Sequence, residues 1–416
     1  MDRVAMLSVH GCPLAHPGTP GAGGMQMYIK ALGRELGRRG LAVDVFTRRT
    51  APGLPEIVPF GPNARVIHLS AGEPAPVPKD EVFDLLPEFV CNLQRFRRAE
   101  GVDYQIVHSH YWLSGWVGHL LARRWGVPHV TMFHTLGQLK NRALGERTES
   151  ATRIEVEERI AGAADVIVAS SEHERTALVE LYRAPWERIA VVPGGVDLCL
   201  FQPRDRHASR AVLGIDGEVV LFVGRMDPVK GLDILLRAVG LLADRRNLRL
   251  VIVGGDGQEE ERRRAETLAA SLGIAARFVP AVRQEDLPLY YSAADVLVVP
   301  SYYESFGLVA VEALACGTPV IAARVGGLPT IIRDGENGLL VPWRHPAAFA
   351  ERIARLLDEH ELRVAMAARA RASVAGFSWE RVADQVIAIY QRLSAAGTER
   401  DRVYTREACY HRGSCL

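Results

Sequence analysis

The stretch Val296-Leu297-Val298-Val299-Pro300-Ser301-Tyr302-Tyr303-Glu304-Ser305-Phe306-Gly307-Leu308-Val309-Ala310-Val311-Glu312 decides the fold. Its first four residues are aliphatic and form the pattern of a short buried strand. Residues 301–305 read as a loop. Residues 306–315 predict a helix, stopped by Gly317. Strand, loop and helix in that order are part of a βαβ crossover, and such folds bind ligands beyond the carboxyl ends of their strands. The helix N-terminus offers free N–H groups and the positive end of a dipole, which suits a diphosphate. Glu304 falls just before this helix and Glu312 about two turns inside it. One carboxylate can hold sugar hydroxyls and the other can reach a ribose diol. Position alone fits two ordinary surface glutamates equally well.

The same rhythm extends in both directions. Strands are expected at residues 219–223, 250–253, 277–279 and 319–322 in the second half. In the first half they are expected at 3–9, 43–46, 66–69, 106–110, 129–133 and 166–169. Met25, Ile29, Leu32 and Leu36 recur at helical spacing before Gly40, and residues 116–125 also read as helix. Alternating strands and helices imply parallel sheets with right-handed crossovers. The pattern pauses near residues 191–197, and 198–215 have no clear period, so the domain boundary falls near 195–215.

The chain's 416 residues exceed one ordinary core, and two domains of about 200 residues each are expected. Apolar residues make up 48%, enough for two cores. Lys and Arg total 50 against 49 Asp and Glu, a net charge of +1 that gives no global attraction to nucleic acid. The cysteines at 12, 91, 199, 316, 409 and 415 have neither C-x-x-C nor zinc-ligand spacing. Met1 to Leu7 runs into a strand pattern rather than a secretory leader, and no apolar run reaches bilayer length. A soluble cytoplasmic protein with reduced thiols is expected.

Three further clusters follow predicted strands. Gly224-Arg225-Met226-Asp227-Pro228-Val229-Lys230-Gly231 places two cations before a helix, where they could stabilise a leaving diphosphate. Taken alone, a solvated turn explains them better. Gly18-Thr19-Pro20-Gly21-Ala22-Gly23-Gly24-Met25 permits close backbone approach to a sugar or phosphate but lacks the dinucleotide fingerprint. A plain flexible turn is at least as good a reading. His108-Ser109-His110-Tyr111-Trp112 and Phe133-His134-Thr135 place histidines at strand ends. His108 and His110 share a strand face, yet no acidic or thiol partner has recognisable spacing nearby. No Asp-x-Asp stands at a strand end, which argues against a metal-bridged diphosphate, so no metal site is assigned.

Gly224-Arg225…Lys230-Gly231 with Glu304-x7-Glu312 resembles family 4 of the GT-B glycosyltransferases, over roughly residues 3–395. Ser8-Val9-His10-Gly11-Cys12-Pro13-Leu14, Gly23-Gly24-Met25, His108 to Gly115 and Ala323 to Pro329 are similar to the D-inositol-3-phosphate glycosyltransferases of mycothiol synthesis. The resemblance implies an α/β GT-B fold of two Rossmann-like doubly wound domains facing a central cleft. It implies an acceptor domain at residues 1–200, a nucleotide-sugar domain at 201–378, a helix at 379–395 crossing back to the first domain, and a tail, 396–416, with no assigned counterpart. It implies retaining transfer of N-acetylglucosamine from UDP-N-acetylglucosamine to 1D-myo-inositol 3-phosphate, with a UDP-sugar donor and no other cofactor.

By matching position, the resemblance assigns the diphosphate to Arg225 and Lys230, the donor sugar to Glu304, and the ribose to Glu312. Val282 would meet the base and Gly24 the donor phosphate, with Phe306 and Gly307 completing the donor loop. His134 would lie beside the anomeric centre; with Arg225, Lys230 and Glu304 it forms the implied catalytic set. His10, Gln26, Lys79, Tyr111, Thr135 and Arg153 would hold the acceptor, the last four gripping its phosphate and His10 facing its ring. Small-molecule partners are expected, without nucleic acid or a membrane span; a homodimer is an open option. Gln26 stands where the mycothiol enzymes usually carry Asn, and His10-Gly11-Cys12 replaces His-Thr-Ser. These departures bear on the acceptor. A sucrose-phosphate-synthase-like enzyme, a natural-product enzyme using an aminocyclitol and a GDP-sugar, and a non-catalytic binding protein are the rival readings.

Overall fold

Fourteen strands make two sheets in the computed structural model, which describes residues 2–15, 23–245, 247–255, 258–342 and 344–410, with side chains through 395. The first sheet contains β1 (Arg3–Leu7), β2 (Ala42–Arg48), β3 (Ile57–Gly61), β4 (Ala64–Leu69), β5 (Ile106–His110), β6 (His129–Met132), β7 (Val166–Ala169) and β8 (Ile189–Val191). Its order is β3-β4-β2-β1-β5-β6-β7-β8. The second contains β9 (Glu218–Val223), β10 (Leu248–Val253), β11 (Ala276–Val279), β12 (Val296–Val299), β13 (Val320–Ala323) and β14 (Gly338–Val341), in the order β11-β10-β9-β12-β13-β14.

Central strands such as β5 and β12 are buried along their whole length, as strands covered by helices on both faces must be. The order reverses between β1 and β5 in one sheet and between β9 and β12 in the other. Those reversals open crevices at the strands' carboxyl ends, and the loops singled out above leave from them. The helix Trp379–Tyr410 belongs to neither sheet's crossovers and packs on the helix Gly24–Arg38 of the first lobe. Trp379 meets the Tyr28 ring edge-on at 5.4 Å, Arg39 pairs with Asp384, and the Tyr390 hydroxyl lies 2.6 Å from His108 Nδ1. No helix among the described residues is long and apolar enough to cross a membrane.

The structure corrects three local expectations and describes the tail, which had none. β3 pairs antiparallel with β4 at the sheet edge, where Pro59 removes no needed donor. Residues 198–215 contain a helix, Arg206–Leu213. Its inward contacts are Ser209 and the ion pairs of Arg206 and Arg210 with buried Asp295, so no apolar period marked it. The helix expected from residue 306 starts at Leu308 after Gly307, which places Glu312 about one turn inside. The tail's backbone is helical to Tyr410; residues 411–416 lie outside the described residues, as does Gly18 to Ala22 of the glycine loop.

Candidate active site

Two loops of the second lobe meet through a glycine. Gly231 adopts φ +69°, and a Cβ there would lie 2.1 Å from the Pro300 carbonyl oxygen. Only glycine lets the loop after β9 touch the loop after β12 this closely. The contact brings Lys230 Nζ to 2.7 Å from Glu304 Oε2, with Ser301 Oγ 3.4 Å from the same oxygen. The Gly327 N–H donates to the Glu304 carbonyl at 3.0 Å. Gly326, at φ +53°, passes so near that a Cβ would sit 1.7 Å from that carbonyl.

Arg225 is held more loosely. Its guanidinium lies 3.4 Å from Asp227 and is 42% exposed, so it stays available to an anion. Glu312 is buried and accepts from the Tyr291 hydroxyl at 2.7 Å. Burial pushes its pKa up to about 7 against the lowering effect of Tyr291 and Gln284. Phe306 is buried between the lobes: a Cβ on Gly194 would lie 2.6 Å from its ring. Val282 is partly buried against the second lobe's core. A Cβ on Gly24 would meet Leu308, and one on Gly23 would face Arg225 Nε, so the end of the glycine loop abuts the donor loops.

Across the cleft, Arg153 gathers the first lobe's candidates. It donates to the Tyr111 hydroxyl at 3.0 Å and to Thr135 through the carbonyl at 2.8 Å and the hydroxyl at 3.1 Å. It also pairs with Glu149 at 2.6 Å and Glu157 at 2.7 Å. Arg153, expected to grip an acceptor phosphate, therefore needs no ligand to balance its charge. Glu157 is fixed in turn by the Gly137 N–H at 2.9 Å and the Tyr182 hydroxyl at 2.6 Å. Lys79 makes no ion pair among the described residues and sits with Nζ 5.9 Å from the Tyr111 ring centre. Surrounding protein, then the like charges of Arg225, Lys140 and Arg153, lower its pKa.

His10 packs against the Tyr111 ring at 4.5 Å. Burial, then Lys79, Arg153 and His134, lower its pKa to about 3. His134 has φ +61°, and its Nε2 lies 2.9 Å from His110 Nδ1. Burial lowers its pKa to about 3, so both rings are neutral near pH 7. Gln26 turns back on its own helix: Oε1 accepts from the Gly23 N–H at 2.9 Å, and a Cβ on Gly11 would lie 2.3 Å from Nε2. Its position shapes the floor under Gly11 and steadies the glycine loop.

Sequence reading missed Glu149, Glu157 and Tyr291, which hold Arg153 and Glu312 from distant segments. It also missed the inter-lobe contact: Ser305 Oγ donates to the His134 carbonyl, and the Ser305 carbonyl lies 2.9 Å from Ser170 Oγ. Ser171-x-x-Glu174 after β7 was a legible helix-capping signal for that region.

Residues 22–199 match the family described as Glycosyltransferase Family 4, and residues 205–373 match Glycosyl transferases group 1. The chain is 47% identical to a D-inositol 3-phosphate glycosyltransferase of Geodermatophilus obscurus, over 96% of this chain and 92% of that one. It is 43% identical to the protein of that name from Corynebacterium efficiens, covering 95% and 96%. A solved sucrose-phosphate synthase from Thermosynechococcus elongatus superposes with a TM-score of 0.89 at 38% identity, covering 95% of this chain and all 100% of that one. The chain is a glycosyltransferase of the GT-B fold and belongs to glycosyltransferase family 4, alongside the D-inositol 3-phosphate glycosyltransferases.

Proposed function

We propose that this enzyme moves N-acetylglucosamine from UDP-N-acetylglucosamine to 1D-myo-inositol 3-phosphate, with retention, in the cytoplasm. Residues 1–200 would take the acceptor and 201–378 the donor. The observation that carries the acceptor side is Lys79, a cation without an ion pair among the described residues, set beside the Tyr111–Thr135–Arg153 cluster and near Arg225. Such convergent charge from both lobes favours a phosphorylated acceptor facing a diphosphate. The names of the similar proteins support the same reading.

In this mechanism the bond from the sugar's anomeric carbon to the phosphate oxygen breaks. The acceptor hydroxyl oxygen bonds to that carbon on the same face, and its proton passes to the departing phosphate oxygen. Arg225 and Lys230 stabilise the charge that grows on the diphosphate. Glu304 fixes the Lys230 ammonium and offers its carboxylate to sugar hydroxyls. Glu312 reaches the ribose, and Val282 lies by the base. His134 orients the sugar as a neutral group.

The test is a mass-spectrometric screen of UDP- and GDP-sugars against inositol 3-phosphate, free aminocyclitols and sugar phosphates. The expected product is N-acetylglucosaminyl-inositol phosphate. Its absence overturns the acceptor reading. A sugar-phosphate product would instead favour the synthase-like reading, which the likeness to the sucrose-phosphate synthase supports.

A further inference from the structure

The seam between the lobes holds a carboxyl that the transfer chemistry does not use. Glu174 lies in the helix Glu172–Tyr182, whose N-cap Ser171 accepts from the Glu174 N–H at 3.2 Å. Glu174 Oε2 accepts from the Ser170 N–H at 2.7 Å and lies 2.5 Å from Ser170 Oγ. Ser170 Oγ also lies 2.9 Å from the Ser305 carbonyl oxygen of the other lobe. A serine hydroxyl has one proton to give. The carbonyl and an ionised carboxylate can both only accept, so one hydroxyl proton would be divided between contacts of 2.5 and 2.9 Å. A proton on Glu174 lets both contacts form as full hydrogen bonds.

The surroundings agree. Glu174 is 1% exposed, and its Oε1 has no hydrogen-bond partner among the described residues. The titratable groups that face it are Tyr28 on the helix Gly24–Arg38, Tyr303 on the donor loop and Glu157 on the helix Ala151–Ala163. None is a cation, so an ionised Glu174 would be a buried charge opposed only by the Ser170 bonds and the helix N-terminus. Burial above all raises its pKa, and the bonds from Ser170 oppose that rise.

We propose that Glu174 is a positioning residue that carries a proton in the closed seam and, through Ser170, fixes Ser305, the His134 carbonyl and the adjoining Glu304 peptide. Loss of the proton turns the Ser170 hydroxyl toward the carboxylate and releases the Ser305 carbonyl.

Infrared spectroscopy of the full chain tests this without substrate, so a wrong donor or acceptor assignment cannot mimic failure. The expected result is a protonated-carboxyl band that disappears in Glu174→Gln and shifts to higher frequency in Ser170→Ala. In turnover assays with UDP-N-acetylglucosamine, which rest on the proposed function, Ser170→Ala should lower kcat about tenfold with little change in acceptor KM. Wild-type kcat should fall as pH rises in step with loss of the band, and Ser170→Ala should lack that limb. Should Glu174→Gln not fold, the Ser170→Ala shift and the wild-type titration decide. A band unaffected by either substitution, or kcat that ignores the band's titration, overturns the proposal.

Discussion

On the proposed donor side, Arg225, Lys230 and Glu304 come from two loops of one sheet, and each loop follows its strand directly. On the proposed acceptor side, Lys79, Tyr111, Thr135 and Arg153 come from four separate segments. The donor cations are lightly tied: Lys230 has one carboxylate partner, and Arg225 a long contact to its neighbour Asp227. Arg153 is locked into two carboxylates before any ligand arrives. A loosely paired cation can change partners during a reaction, and so follow charge as it develops. A cation held by buried carboxylates serves first as a scaffold, orienting Tyr111 and Thr135, while Lys79, without an ion pair among the described residues, is the proposed charge for the acceptor.

Three experiments can break or sharpen this contrast. Lys230→Ala should reduce kcat/KM by about 10³-fold, the scale of losing a preorganised charge stabiliser, while the melting temperature stays close to wild type. Near-normal turnover would remove Lys230 from the donor machinery. Arg153→Ala should cost about 3 kcal/mol of unfolding free energy, because it strands Glu157 in the interior, and should raise acceptor KM as well. Lys79→Ala should raise acceptor KM while leaving stability nearly unchanged. If denaturant melts rank the two variants equally, the scaffold role of Arg153 is wrong.

The smallest effect concerns Glu312, whose pKa is raised to about 7, chiefly by burial. A carboxyl with a raised folded-state pKa stabilises the fold fully below its unfolded value and loses that contribution as pH climbs through the folded value. Unfolding free energy should therefore drift down between about pH 4.5 and about pH 7. Donor KM should improve over the upper part of that range as the carboxylate forms to accept ribose hydroxyls. Glu312→Gln should flatten both trends; an unchanged slope would show that another group titrates there.

Much of this was legible in the sequence. Strands such as Val296–Val299 and Ile106–His110 announce themselves, because strands buried on both faces must be apolar throughout. The glycines around Arg225 and Lys230 marked a close loop, and the spacing of Glu304 and Glu312 marked a candidate clamp. The edge strand Ile57–Gly61 was not legible, because an exposed strand with a proline carries no such pattern. The helix Arg206–Leu213 was hidden because ion pairs rather than apolar residues hold its inner face.

The sequence by itself determined two α/β lobes and their order, and it marked the residues proposed to hold a nucleotide sugar, since strand period, glycine placement and charge near strand ends are local properties. Only the tertiary structure decided that Arg153 is already neutralised, that Gln26 folds back onto Gly23, and that Ser170 and Glu174 reach across to Ser305. Each depends on hydrogen bonds between segments far apart in the chain, where partner, distance and protonation are set by packing and burial.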